Sequence, residues 1–142
     1  MRGAALALCL ACLAAGCTHA PPDATPDGAV RLFLDEMEAA GDDPRVMTRA
    51  YDLLGPAARA NLEERAHHTS QLQGRQVTPQ EMLAAGRFGL AFRPNPKTMR
   101  YTIVSDRATV EVVGADAVNE HASVVCVHEA GGWRIEPGLP EP

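Results

Sequence analysis

The chain lacks the cysteines that would cross-link a small exported domain. Three of its four cysteines lie within the first 17 residues, and only Cys126 lies further along. A lone thiol cannot form a disulfide within its own domain, so we expect the folded body to be held together by ordinary packing.

A basic patch is also missing. The chain carries 13 basic and 18 acidic side chains, a formal net charge of −5, and its arginines are scattered singly. A groove that follows a nucleic-acid backbone needs clustered cations interleaved with aromatic side chains. We therefore expect no nucleic-acid partner.

Motifs for metals and phosphates are absent beyond residue 17. Neither Cys-x-x-Cys nor a pair of histidines four residues apart occurs there. His67 and His68 are adjacent, and neighbouring side chains on a helix point about 100° apart, which favours a solvated helix end over a metal site. Gly86 and Gly89 follow a predicted helix instead of preceding one, which is the wrong end for anion binding. We expect no metal and no cofactor.

No apolar run reaches the roughly 20 residues needed to cross a bilayer as a helix. Residues 4–15 form an apolar segment after Arg2, and it ends in the run Leu13-Ala14-Ala15-Gly16-Cys17. This arrangement resembles a bacterial lipoprotein signal, in which small residues precede a cysteine that receives a diacylglyceryl group. The resemblance implies that residues 1–16 are removed and that Cys17 is lipidated. Residues 18–20 offer an ordinary signal peptidase only a poor alternative cleavage site.

The same resemblance suggests a location. Thr18 follows Cys17, whereas the best-known retention signal of such lipoproteins is an aspartate at that position, so we expect the outer membrane, facing the periplasm. Residues 17–27 contain three prolines and no apolar periodicity, which is typical of an extended tether. Removal of residues 1–16 from the 142-residue chain leaves 126, enough for one domain, which we expect over 28–139.

The first half of this domain has helical periodicity. One helix is predicted from Pro26, with Thr25 as its N-cap and Gly41 at its end, and its apolar residues recur on one face: Val30, Phe33, Leu34 and Met37. Three further helices are predicted over 43–54, over 56–66 with Leu62 inward, and over 79–85, where the segment 78–81 is a capping-box signature.

The second half alternates with period two. Turn residues divide it into predicted strands over 97–104, 108–113, 118–128 and 133–136. Because helices come first and strands last, we expect an α+β fold in which N-terminal helices pack on one face of an antiparallel meander of about four strands. Trp133 and Ile135 share one side of the last strand, and the tryptophan is predicted to be in the core.

One strand suggests an oligomer. Residues 124–127 are continuously apolar, so this strand needs cover on both faces, whereas the neighbouring strand alternates. A two-fold dimer that packs sheet against sheet is one interpretation, and a locally solvated valine pair is the other.

Three segments carry a resemblance to a known superfamily. They are 29–34 (AVRLFL), 50–59 (AYDLLGPAAR) and 131–135 (GGWRI). In this order the chain resembles a nuclear-transport-factor-2-like domain, the cystatin-like cone fold that hosts ketosteroid isomerases, polyketide cyclases and small exported lipoproteins, and most of all its bacterial lipoprotein branch. The resemblance spans about 28–139 and implies a curved sheet wrapped around helices, a pocket open at one end and often a dimer.

Enzymes of this fold pair a carboxylate or imidazole base with a tyrosine or an acid that stabilises an oxyanion. The eligible groups here match no catalytic set position by position, so we assign no catalytic residue; they are Tyr51, Tyr101, Glu111, His121 and His128. The ligand pocket that the resemblance implies would be lined by Tyr51, Phe88, Phe92, Tyr101 and Trp133.

Cys126 and His128 stand two apart on one predicted strand and therefore share a face. A thiolate–imidazole pair would also need an orienting group and an oxyanion hole, and the sequence contains no sign of either. A small buried apolar cysteine is the favoured interpretation.

Two functions follow from these observations. The first is a non-catalytic lipoprotein that binds a small apolar ligand or an envelope protein partner. The alternative is a ketosteroid-isomerase-like or dehydratase-like enzyme that uses a pocket histidine or carboxylate together with a tyrosine. A purely architectural role follows instead if side chains fill the pocket.

Overall fold

Four helices precede four strands in the computed structural model, which describes residues 20–41, 43, 45–86 and 90–137. A 3-10 helix, Pro22–Ala24, leads into α1 (Pro26–Ala40), α2 (Met47–Asp52), α3 (Pro56–Gln73), α4 (Pro79–Ala85), β1 (Arg100–Val104), β2 (Arg107–Val113), β3 (His121–Glu129) and β4 (Gly132–Ile135). The strands form one antiparallel sheet in the order β1-β2-β3-β4. The predicted α+β class with an antiparallel sheet is confirmed.

α1 forms where the periodicity predicts it. The Thr25 hydroxyl accepts a hydrogen bond from the Gly28 N–H at 3.2 Å, and proline occupies the first turn. Val30 and Phe33 are buried, whereas Leu34 and Met37 are only partly buried. This partial exposure of one side of α1 contributes to a groove described below.

Two helix boundaries differ from the predicted ones. α2 starts at Met47, four residues later than the predicted start, after a turn in which the Met47 N–H donates to the Asp43 carbonyl. α3 continues to Gln73, seven residues beyond its predicted end. Gly74 follows its last turn with a φ of 64°, the left-handed conformation that glycine adopts readily at the end of a helix. The predicted end at residue 66 is wrong because polarity alone does not stop a helix.

Two strands start three residues later than predicted, and an Asx turn explains each delay. The Asn95 side chain accepts the Lys97 N–H at 3.2 Å, and the Asp116 carboxylate accepts the Val118 N–H at 3.1 Å. Such side chains divert the backbone from the ladder for several residues. β1 and β3 therefore begin only after these turns.

One face of the sheet packs against the helices. Its buried residues come from β2, β3 and β4 and include the predicted core tryptophan: Ala108, Val110, Val112, Cys126, Trp133 and Ile135. On the opposite face Glu111 and Ser123 are exposed, while Val125 and Val127 are partly buried. Among the described residues, no helix is both long enough and apolar enough to cross a bilayer.

The outer edge of β4 is covered by the α2–α3 link. The Ile135 N–H donates to the Leu53 carbonyl at 2.8 Å, and the Gly55 N–H donates to the Ile135 carbonyl at 2.7 Å. The next residue, Glu136, then caps α3, because its carboxylate accepts the N–H groups of Ala57 at 3.2 Å and Ala58 at 3.0 Å. We call this set of contacts the edge seam. A β-carbon at position 55 would overlap the Glu136 carboxylate, so a larger residue there would displace this side chain from the cap.

Ion pairs fasten the 3-10 helix to the sheet. Arg134 of β4 bonds the Asp23 carboxylate at 2.6 Å and lies 3.8 Å from Glu129, which also pairs with Arg59 of α3 at 3.2 Å. Asp23 and Arg134 are each largely shielded from solvent. The folded body therefore includes residues 22–27, which the sequence analysis assigns to the tether.

We expect Glu136→Ala to lower the free energy of unfolding by about 1–2 kcal/mol, because the first turn of α3 loses its cap. Glu136→Gln should lose less, since its amide oxygen still accepts a hydrogen bond. Urea denaturation followed by circular dichroism measures both. Glu64→Ala, at an exposed carboxylate of the same helix, is the control and should change stability by less than about 0.5 kcal/mol. Equal losses from both alanine variants would contradict a capping role.

Candidate functional site

One groove lies between the second half of α3 and residues 74–79, with a volume of about 590 Å³. Several of its polar side chains have partners within the protein. Arg75 pairs with Glu81 at 2.8 Å, and a ring nitrogen of His67 lies 2.9 Å from the Gln71 amide nitrogen. Ser70 accepts the Val77 N–H at 2.8 Å and so holds the loop against the helix. These contacts explain the groove as a consequence of the α3–α4 connection.

A second groove has apolar side chains in its floor and charged side chains at its rim. We call it the α1 groove; it lies between α1 and residues 90–94, has a volume of about 430 Å³, and is lined by Leu34, Asp35, Met37, Glu38, Leu90, Phe92, Arg93 and Pro94. Leu34, Met37, Leu90 and Phe92 pack against the core on their inner sides. Glu38 and Arg93 approach to 3.5 Å at the rim, where both are exposed. The arrangement is an apolar floor with charged groups of both signs at its mouth.

The residues predicted to line one pocket do not lie together. Phe92 lines the α1 groove, Tyr101 is 44% exposed on β1, and Trp133 is buried on β4. β1 and β4 are the two outer strands of the sheet, about 14 Å apart across three strand spacings. Tyr51 lies on α2 and contacts α3, and Phe88 lies outside the described residues.

Tyr51 and Glu63 form a tyrosine–carboxylate pair between α2 and α3. The tyrosine hydroxyl donates to the Glu63 carboxylate at 3.0 Å. Partial burial, helped by this hydrogen bond and the nearby negative charge, raises the pKa of Tyr51 to about 12, so the hydroxyl remains protonated at neutral pH. Glu63 is exposed. The pair therefore lies at the surface and not in an enclosed pocket.

Cys126 and His128 share a face of β3, as predicted, but differ in environment. Cys126 is fully buried, its Sγ lies 4.0 Å from the Pro26 carbonyl oxygen, and burial raises the pKa of its thiol to about 12. His128 is exposed and meets the Trp133 ring edge-on, with ring centroids 5.0 Å apart. A protonated, buried thiol is a poor nucleophile. The geometry agrees with the apolar interpretation of Cys126.

The remaining candidate groups are dispersed. Glu111 accepts a hydrogen bond from Ser123 at 2.8 Å on the exposed face of the sheet, and His121 is exposed at the start of β3. Within the ranges that the structure describes, no three histidine, cysteine, aspartate or glutamate side chains are grouped closely enough to hold a metal ion.

Sequence reasoning missed most of the α1 groove. It placed Leu34 and Met37 on the apolar stripe of α1, and among the residues that line the groove it predicted only Phe92 to line a pocket. The stripe gives no signal of the groove, because a partly buried side chain recurs with the same period as a fully buried one.

Comparison with protein-family models, with curated proteins and with solved structures finds no match to this chain. The arguments about function therefore rest on its residues and their geometry.

We expect Cys126 to resist alkylation in the native protein. Because burial both shields its thiol and keeps it protonated, iodoacetamide at pH 8 should react at least about 100-fold more slowly than with the chain unfolded in urea. Mass spectrometry measures the rate. Ala39→Cys, at an exposed position of α1, provides the control and should react as fast as the unfolded chain. A native Cys126 that reacts at the control rate would revive the thiolate–imidazole pair.

Proposed function

We propose that this chain is an outer-membrane lipoprotein that faces the periplasm and acts as a non-catalytic binding module for a small apolar ligand or an envelope protein partner. In this proposal residues 1–16 are the export signal and Cys17 carries the lipid. The observation that carries the binding role is the α1 groove, whose apolar floor is lined by Leu34, Met37, Leu90 and Phe92. Apolar concave surfaces with a few polar groups at the rim are the usual form of small-molecule sites.

The start of the folded body supports an anchored role. The 3-10 helix begins at Pro22 and is fastened to β4 through the 2.6 Å pair between Asp23 and Arg134. Five residue steps separate Cys17 from Pro22, and a chain of that length reaches at most about 18 Å when fully extended. A lipid on Cys17 would therefore hold the domain close to the bilayer surface.

We further propose the nuclear-transport-factor-2-like cone as the specific fold. All three segments that carry the resemblance have structural roles: 29–34 lies in α1, 50–59 contains the edge seam, and 131–135 forms the turn into β4 and β4 itself. Four antiparallel strands with helices on one face are compatible with such a cone. A two-fold dimer is also a proposal, and packing through the sheet face, as the sequence suggests, is the alternative to the edge contact argued below.

An enzyme of the ketosteroid-isomerase or dehydratase kind is the second candidate, and the Tyr51–Glu63 hydrogen bond is the observation that favours it. A tyrosine held protonated at neutral pH can donate to a developing oxyanion. This candidate comes second because Glu63 is exposed, so water screens the charge of its carboxylate. In addition, Glu63 already accepts the hydroxyl that a substrate would need.

We expect Cys17→Ser to abolish lipidation and to move the protein out of the detergent-soluble membrane fraction. The intact mass of the wild-type protein from its own membrane should exceed that of the chain 17–142 by a diacylglyceryl group and an acyl chain. Cys12→Ser is the control and should leave both mass and fractionation unchanged. An unacylated wild-type protein would refute the anchor.

We expect Met37→Glu to weaken binding of the neutral apolar probe N-phenyl-1-naphthylamine at least about tenfold, because the variant places a charge in the floor of the α1 groove. Fluorescence titration of the folded protein measures the dissociation constant. Met37→Leu keeps the apolar volume and should bind as the wild type does.

Leu72→Glu is the matched control for added charge. Leu72 is 78% exposed on α3 and does not line the α1 groove, so this variant should not change the affinity. Equal loss in both glutamate variants, or no binding by the wild type, would refute the groove as a ligand site. Native mass spectrometry of protein from its own membrane then tests whether a small molecule is retained.

A further inference from the structure

β1 is an open sheet edge with exposed apolar side chains. All five of its residues are exposed, and three are large and apolar: Tyr101 (44%), Ile103 (48%) and Val104 (72%). The opposite edge of the sheet, by contrast, is covered by the edge seam. Natural proteins protect open edges with prolines, lysines, bulges or covering elements, and β1 (RYTIV) contains neither a proline nor a lysine, while its register with β2 has no bulge.

The hydrogen-bond register identifies which groups of β1 point outward. The His128 N–H donates to the Asp106 carbonyl at 2.7 Å, so Asp106 directs its main-chain carbonyl towards β3. This direction alternates along a strand, so Arg107, the next residue, directs its main-chain N–H and C=O groups towards β1 and pairs with Val104. It follows that Tyr101 and Ile103 point their N–H and C=O groups away from the sheet. Among the described residues these groups have no hydrogen-bond partner.

We propose that the occupant of this edge is a second copy of the chain, paired antiparallel through β1 with Thr102 at the two-fold axis. In this register Tyr101 of one copy lies opposite Ile103 of the other, and both residues have outward-pointing main-chain groups. Each pair of Tyr101 and Ile103 exchanges two N–H···O bonds, and the two-fold axis produces two such pairs, one on either side of Thr102. The result is a continuous eight-stranded antiparallel sheet.

The side chains of β1 match this register. The Tyr101 ring and the Ile103 side chain, both half-exposed in one copy, cover each other across the axis on the helix-bearing face. Arg100 lies opposite Val104 of the partner copy. No like charges face each other directly.

A peptide from another protein fits this edge less well than a second copy does. A foreign strand would have to supply an apolar pair for Tyr101 and Ile103 at matching register positions, whereas β1 itself already carries both groups. Two five-residue edges bury less than the ~1,200 Å² of a standard interface, so the association is weak, in the micromolar range or above. A common membrane anchor would strengthen it by raising the local concentration.

Cysteine trapping on the full chain tests the register. Thr102→Cys places two thiols at a non-hydrogen-bonded antiparallel pair, about 4.5 Å apart between Cα atoms, which suits a disulfide. Mild oxidation of the protein from its own membrane should yield a covalent dimer at least about tenfold more abundant than with Thr109→Cys. Thr109 lies on the same face but one strand inward, which puts the two copies of the control thiol about 14 Å apart.

Two proline variants test whether the edge of β1 forms the contact. Ile103→Pro removes an N–H that points outward, so the monomer should keep its thermal stability while the Thr102→Cys cross-link falls at least about tenfold. Thr102→Pro is the control, because its N–H bonds to β2; it should lower the melting temperature. Sedimentation velocity of Ile103→Pro should accordingly show only monomer where the wild type shows a concentration-dependent mixture.

Three outcomes would overturn the proposal. The first is a cross-link from Thr109→Cys with none from Thr102→Cys, which would indicate dimerisation through the sheet face. The second is a Thr102→Cys cross-link to a different protein without any homodimer, which would make the edge a site for that partner. The third is a wild-type protein that remains monomeric at high micromolar concentration and is not trapped in the membrane.

Discussion

The edge seam is the contact on which the rest of the structure depends. Backbone hydrogen bonds of 2.7 and 2.8 Å join the α2–α3 link to Ile135, and the Glu136 carboxylate caps the helix that follows that link. Two residues near the end of the described chain therefore fix both the start of α3 and the position of the helices beside β4. Gly55 leaves room for this carboxylate, which a side chain at position 55 would displace.

Polar side chains also join the elements of the domain. Asp23, Arg134, Glu129 and Arg59 form a connected set of ion pairs between the 3-10 helix, the sheet and α3. The hydroxyl of Tyr51 is engaged with a surface carboxylate. These polar contacts therefore hold separate elements of the fold together.

Periodicity predicted the class of the fold, the four helices and the four strands, because burial on one face leaves a pattern in the sequence. The ends of helices were harder to predict: α3 continues through His67 and His68 to Gln73, since exposed polar residues neither favour nor stop a helix strongly. The edge seam could not be predicted, because Glu136 is 78 residues from the N–H of Ala58 that it caps. The α1 groove was missed for a related reason, since partial burial leaves the same apolar stripe as full burial.

The order of elements along the chain explains why only one sheet edge needs a partner. A meander that follows four helices ends with β4, which returns to the α2–α3 link and is covered by it. β1 is the first strand of the meander, and among the described residues no backbone segment pairs with its outer side. The ordered N-terminal end is fastened to β4 through Asp23, so an anchor on Cys17 would hold the covered side of the sheet. β1 lies three strand spacings away, about 14 Å, and its outer side is left free for the second copy of the chain that we propose.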